Sequence, residues 1–324
     1  MSKDTVERCR TRVFENVNGE KTSVGRGNLS FTTINLPRLA IKASSENKTL
    51  EQFREEVKAL TVTVCDQLLE RLKFQMTADE SQFPFIIANN IWDHKDSKDY
   101  ADSLRSGTLG VGFIGLHNTM MALFDESIDD NAVVYNFATK VIEDMNEVVN
   151  YYKNKHKLNF SVLATPAEGI SGRFTKLDKE KFGVIPGVND RDYYINSFHI
   201  DVAKPVSAFK KLELEAPFHK LTKGGHITYV ELDGEAKNNL VAFGDIVVHS
   251  MKCNAGYISI NHPIDQCKVC GHNSIIHDSC PICGNDDISR IRRITGYLVG
   301  DLDNWNSYKQ AEERDRVKHS VSSK

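Results

Sequence analysis

GTLGVGFIGLHNTMMALF, residues 107–124, reads as a glycine-rich apolar strand, a turn at Gly115, and a helix over Leu116–Phe124. Working outward, the same alternation recurs on both sides. Downstream, Val133–Tyr152 has helical spacing, with Val133, Phe137, Val141, Met145 and Val148 expected on one face. Asn159–Ala164, NFSVLA, then reads as a buried strand, and TPAEGISGRF follows it. Upstream, residues 50–75 place Leu50, Phe53, Val57, Leu60, Val64, Leu68 and Leu72 three or four apart, the signature of an amphipathic helix. FTTINLPRLAI, residues 31–41, is expected as a strand broken by Pro37, and PFIIANN, residues 84–90, as a further short strand. Asn18-Gly19 marks a turn. Strands alternating with long helices predict an α/β fold with a parallel sheet.

The 324 residues are 40% apolar and 26% charged, an ordinary globular balance, enough for one large domain or two smaller ones. The net charge of -3 carries no basic excess, so neither nucleic acid nor an anionic membrane is the expected partner. No run of about 18 apolar residues suggests a membrane span. The opening MSKDTVERCRTR has no apolar signal-peptide core, so the expected location is the cytoplasm, where thiols stay reduced.

Seven cysteines then need a use. Cys9, Cys65 and Cys253 are scattered. Cys267-x-x-Cys270 and Cys280-x-x-Cys283 are clustered, each pair followed by glycine: CKVCGHN and CPICGND. Two such knuckles can offer four thiolates at tetrahedral corners, the ligand set of a structural Zn2+. Iron–sulfur ligation would use the same residue type, and four buried free cysteines or two disulfides are the unremarkable alternatives. A four-cysteine zinc site has no open coordination position, so its expected work is to hold a loop-rich segment together. His262, His272 and His277 lie nearby and are expected at the surface, outside the ligand set. His199 and His226 are expected in the core or at the surface.

Behind the cluster, Arg293-Ile294-Thr295-Gly296-Tyr297-Leu298 resembles the glycyl-radical signature of the anaerobic (class III) ribonucleoside-triphosphate reductases. Trp305-Asn306, Lys309 and Arg316-Val317-Lys318-His319 resemble that family's tail. Cys9-Arg10-Thr11, Gly25–Leu29 and Thr33–Arg38 resemble its finger-loop region. Residues 111–125, 164–174 and 182–202 are similar as well, so the resemblance runs in order through almost the whole chain from Cys9.

The resemblance implies half of a ten-stranded α/β barrel, with a C-terminal zinc ribbon and glycyl-radical loop. Residues 1–250 would be the C-terminal half of the barrel with its finger loop, 251–291 the zinc module, and 292–324 the radical segment. Glycine suits a backbone radical because no Cβ hinders flattening at Cα. Gly296 would be oxidised by a radical activase carrying a [4Fe–4S] cluster and S-adenosylmethionine. Its radical would pass to Cys9 as a thiyl, and Asn28 would contact the ribose. The substrate would be a ribonucleoside triphosphate and the reductant formate or a dithiol, in an oligomer.

Thr165-Pro166-Ala167-Glu168 reads first as a helix start, with Thr165 as N-cap and Pro166 at the first helical position. Such a start can also receive substrate phosphates. The family's chains are about twice as long, and MSKDTVER departs from the pattern just before Cys9. The expectation is therefore one part of a split enzyme completed by an N-terminal reductase chain. A spare-part donor of the radical terminus and a non-catalytic zinc-binding module are the rivals.

Overall fold

The computed structural model describes residues 6–8, 11–13, 15–89, 91, 100–232, 236–262, 264–276, 278–293 and 302–319. Two compact units divide the chain. One contains Met1–Thr165 and Phe218–His226, the other Pro166–Pro217 and Ile227–Lys324.

In the first unit, strands β1 (Val6–Arg8) and β2 (Thr11–Val13) pair antiparallel. Strands β3 (Asn28–Asn35), β4 (Thr108–Ile114) and β5 (Asn159–Ala164) form a parallel sheet in that order. Parallel neighbours need crossovers, and helices supply them. Between β3 and β4 run α1 (Leu36–Ser45), α2 (Leu50–Met76), α3 (Pro84–Ala88) and α4 (Tyr100–Ser103); α5 (Leu116–Phe124) and α6 (Ala132–His156) link β4 to β5.

The long helices follow their burial pattern. Helix α2 buries Phe53, Val57, Thr61, Val64, Cys65, Leu68 and Leu72, and a Thr49/Gln52 capping box starts it. On α6 the buried stripe is Val134, Ala138, Val141, Ile142, Met145, Val149 and Tyr152. Val133, expected on that face, is exposed. The two helices are tied by Arg54 on α2, whose Nε and Nη2 donate to both oxygens of buried Asp144 on α6, at 2.6 and 2.9 Å.

Of the two further expected strands, 84–90 is helical over Pro84–Ala88, while 31–41 is a strand only as far as Asn35 and helical from Leu36. Strand β3 ends at Asn35, whose side chain caps α1 by accepting from the Arg38 amide. Pro37 therefore opens a helix: its missing N–H costs nothing in a first turn. Pro84 likewise stands at the start of α3.

In the second unit, α7 (Gly169–Phe182) precedes α8 (Ala208–His219), whose last two residues belong to the first unit. Strands β6 (Thr228–Glu231) and β7 (Ile258–Asn261) pair in parallel, linked through α9 (Leu240–Lys252). Ala208, Leu212, Val230, Leu232 and Ile246 make one core. Strands β8 (Ile264–Cys267), β9 (Asn273–Ser274) and β10 (Ile288–Ile291) form an antiparallel sheet ordered β10-β8-β9, and α10 (Ser307–Asp315) follows. Among the described residues no helix is long and apolar enough to cross a membrane.

Candidate active site and metal centre

The two cysteine knuckles are built alike. In the first, the Gly271 amide donates to the Cys267 carbonyl and the Cys267 amide to the His272 carbonyl, both at 2.9 Å. In the second, the Gly284 amide donates to the Cys280 carbonyl at 2.9 Å and the Cys280 amide to the Asn285 carbonyl at 2.8 Å. Gly271 and Gly284 both have φ of 73°, the left-handed turn glycine permits. The knuckles thereby converge: Cys267 Sγ lies 3.5 Å from Cys283 Sγ and Cys270 Sγ 3.6 Å from Cys280 Sγ. All four sulfurs fall within 4.8 Å of one another and could hold one metal ion. These separations are too long for disulfides, and the six described cysteines are all free thiols. Ile276 and Ile288 pack against Cys267 and Cys280 in a small core of their own. His272 and His262 stand outside the ligand group; His277 lies outside the described residues.

The chain leaves this module through Arg292 and Arg293. Arg292 Nη1 donates to Asp265 on β8 at 2.5 Å, and Asp265 is fully buried. Arg293 gives its carbonyl to Asn261 Nδ2 at 3.2 Å and its guanidinium to the Tyr257 hydroxyl at 3.0 Å. Gly296 lies outside the described residues. On the far side, Asn306 caps α10 through the Lys309 amide. Lys309, wholly buried, donates to Glu312 at 2.5 Å. Arg316 bridges Glu231 and Glu312 at 2.5 and 2.8 Å. Burial alone would raise the Glu312 carboxyl, but Lys309 and Arg316 outweigh it and hold it at about 2. His319 and Glu231 exchange two bonds: the His319 amide donates to the Glu231 carbonyl, and the Glu231 amide to His319 Nδ1.

In the first unit, Cys9 joins β1 to β2 in sequence and also lies outside the described residues. Its neighbours are held firmly. Asn28 Nδ2 donates to Thr11 Oγ1 at 2.8 Å, while Asn28 Oδ1 accepts from the Thr108 hydroxyl. The Arg12 amide donates to the Gly224 carbonyl at 2.8 Å. Gly224 itself lies close against β5: its amide donates to the Val162 carbonyl at 2.8 Å, and a Cβ there would sit 2.7 Å from Ser161 Oγ and 2.9 Å from the Val162 carbonyl oxygen. Arg12 Nη1 also reaches His226 Nε2 at 3.2 Å. His226 Nδ1 must donate to the Thr222 carbonyl, 2.8 Å away, which leaves Nε2 as the acceptor for Arg12. Burial, with the Arg12 charge beside it, brings His226 down to about 4, so the ring is neutral at pH 7. Nothing local in the sequence marks His226 for this position, because Arg12 is 214 residues away.

Residues 165–168 are arranged differently from the expected helix start. Helix α7 begins at Gly169 with Glu168 as its N-cap, four residues beyond Thr165. The Thr165 hydroxyl is instead 3.0 Å from that of Thr33. The Ala167 amide donates to Asn196 Oδ1 at 3.0 Å, so it is already committed within the protein.

The comparisons with known proteins agree with this architecture. The family model described as "Anaerobic ribonucleoside-triphosphate reductase" matches residues 2–319. The anaerobic ribonucleoside-triphosphate reductase of Escherichia coli strain K12 is 34% identical over 95% of this chain and 44% of its own length. That of Enterobacteria phage T4 is 30% identical over 96% of this chain and 52% of its own length. A solved anaerobic ribonucleotide reductase superposes with a TM-score of 0.64 at 21% identity, over 91% of this chain and 45% of that one. The Thermotoga maritima enzyme solved with MES in its active site also gives 0.64, at 18% identity, over 90% and 46%. The fold is thus the α/β fold of the anaerobic ribonucleotide reductases. The chain belongs to the anaerobic ribonucleoside-triphosphate reductase family, and it spans about half the length of the curated relatives it matches.

Proposed function

We propose that this chain supplies the C-terminal half of a reductase that converts ribonucleoside triphosphates to deoxyribonucleoside triphosphates, with Gly296 as the radical store and Cys9 as the thiyl residue. What supports this above all is that one collinear family match takes in Cys9, Asn28, the four-thiolate centre and Gly296 together. The remaining half, covering the rest of the relatives' length, completes the α/β barrel around the substrate.

An activase removes one Cα hydrogen from Gly296. The Gly296 radical takes the hydrogen of the Cys9 thiol, and the Cys9 thiyl takes the ribose 3′-hydrogen. The protonated 2′-hydroxyl then leaves as water; formate or a dithiol supplies two electrons and a proton places hydrogen at C2′. The Cys9 thiol returns its hydrogen to C3′, and the thiyl so regenerated takes back the Gly296 hydrogen, which restores the glycyl radical. Asn28, held between Thr11, two residues after Cys9 in sequence, and Thr108, orients the ribose. Residues 165–168, leading into the first turn of α7, help to seat the phosphates.

The four cysteines fit Zn2+. A regular tetrahedron with metal–sulfur bonds of about 2.3 Å has edges of roughly 3.8 Å, close to the 3.5 and 3.6 Å separations present. When bound, the ion supplies only structure, fixing the segment that leads to Gly296.

The test is anaerobic activation with a radical activase, S-adenosylmethionine and reductant, with and without the remaining half. Electron paramagnetic resonance and deoxynucleotide assays are read together. The expected result is a glycyl doublet and turnover with both halves present, and neither with Gly296→Ala. A doublet without turnover in every mixture would identify a spare-part protein. No doublet in any mixture would leave a zinc-binding module.

A further inference from the structure

A continuous chain of buried polar groups in the second unit joins the stem of the Gly296 segment to the loop at 166–168. It starts at the Arg293 carbonyl, which accepts from Asn261 Nδ2. The same amide donates to Glu231 Oε1 at 3.0 Å, and that oxygen also accepts from Arg316 Nη1 at 2.5 Å. Arg316 Nη2 passes to Glu312 Oε1, and Glu312 Oε2 accepts from Asn196 Nδ2 at 3.3 Å. Asn196 Oδ1 finally accepts from the Ala167 amide. Glu231, Asn261, Glu312 and Asn196 are all buried, and the Arg316 side chain is 5% exposed.

The charges balance within the chain. Glu231 and Glu312 are offset by Arg316 and Lys309. Buried pairs of this kind add little net stability, because desolvation offsets most of the attraction. Their geometry, however, is unique. The planar Arg316 fork can meet two carboxylates at once only in one orientation. Each residue also joins elements distant in sequence: β6 and β7 by their last residues, α10 by Glu312, and the 166–168 loop through Asn196.

We propose that Glu231, Arg316, Glu312 and Asn196 are positioning residues that set Arg293 and α10, which flank the Gly296 segment in sequence, and the 166–168 loop in one frame. This rests on the proposed radical and substrate roles of those two segments. Disturbing the middle of the chain displaces both ends, so radical storage and nucleotide use fail together. Independent structural roles would move them separately.

The test uses the activated enzyme with both halves, comparing Glu231→Gln, Asn196→Ala and the double variant. Glycyl doublet per chain and the KM and kcat for nucleotide are measured. Each single variant is expected to lose about tenfold in kcat/KM, the size of one charged hydrogen bond, and to lower the doublet yield. The double variant is expected to be no worse than the poorer single one. If the losses multiply, or if Glu231→Gln changes the doublet and leaves KM untouched, the positioning chain is refuted. Arg316→Lys, which keeps the charge but cannot span both carboxylates, replaces Glu231→Gln if that variant does not fold. Absence of a doublet in the unsubstituted protein would instead overturn the functional reading itself.

Discussion

At residue 112 there is no room for a side chain. A Cβ on Gly112 in β4 would collide with Thr165 Oγ1 and approach Thr33 Oγ1 to 3.0 Å, the two hydroxyls that bond to each other beside it. Gly112→Ala is expected to destabilise the first unit by about 1–3 kcal/mol, as overpacking does, and a thermal melt that matches the parent would disprove it. Asn28 makes a different kind of demand. Its amide commits one of its two N–H groups to Thr11 and its oxygen to Thr108. Asn28→Asp keeps the acceptor and loses the donor. The expected outcome is a normal glycyl doublet with turnover reduced tenfold or more, read from parallel resonance and deoxynucleotide assays.

Among the elements, the three-stranded β10-β8-β9 sheet is too small to bury a core adequate for its own stability. Its interior is largely Cys267, Cys280, Ile276 and Ile288, so a metal held by the four thiolates would supply much of the cohesion. Cys280→Ser is expected to lower bound zinc from one ion per chain to well below one. It is also expected to raise amide hydrogen exchange across 264–291, with the first unit's exchange unchanged; retention of a full equivalent of zinc would contradict this. Helix α10 depends on a contact of another kind. Gly172 on α7 lies under the Tyr308 ring with no space for a Cβ. Gly172→Ala is expected to cost about 1–3 kcal/mol and to reduce the doublet yield by displacing the helix that follows the Gly296 segment. An unaltered melt and doublet would refute it.

At the scale of the whole molecule, stability should depend on pH through buried groups. His226 lies at about 4 and His319 at about 3 in the folded protein, each lowered chiefly by burial, against 6.5 ordinarily. The unfolded chain therefore binds these protons first as pH falls. The stabilisation is complete above about pH 6.5. It is lost between 6.5 and 4 at up to about 1.4 kcal/mol per pH unit for each ring. Glu312, at about 2 against 4.5, adds a further loss below pH 4.5. Chemical denaturation at successive pH values is expected to show the decline beginning near 6.5; a flat profile to pH 5 would exclude it.

Local pattern alone was enough for α2, α6, β4, β5 and the four-thiolate cluster. In each, the signal is a spacing repeated within a short stretch, and burial or metal geometry imposes that spacing directly. Order along the chain was likewise enough for the family, because Cys9, the cysteine pairs and Gly296 occur in one sequence. Pattern misled at 36–41 and 84–88, where apolar residues beside a proline suit a strand or a helix equally, and the helix won through Asn35 capping α1 and Pro84 opening α3. Only the tertiary structure decided that Ala167 is tied to Asn196, that His226 braces Arg12, and that Glu231 holds Arg316 and Asn261 together. Those partners are 29 to 214 residues apart. A hydrogen bond between groups so distant leaves no periodicity in the chain; it exists only once packing has excluded water from both.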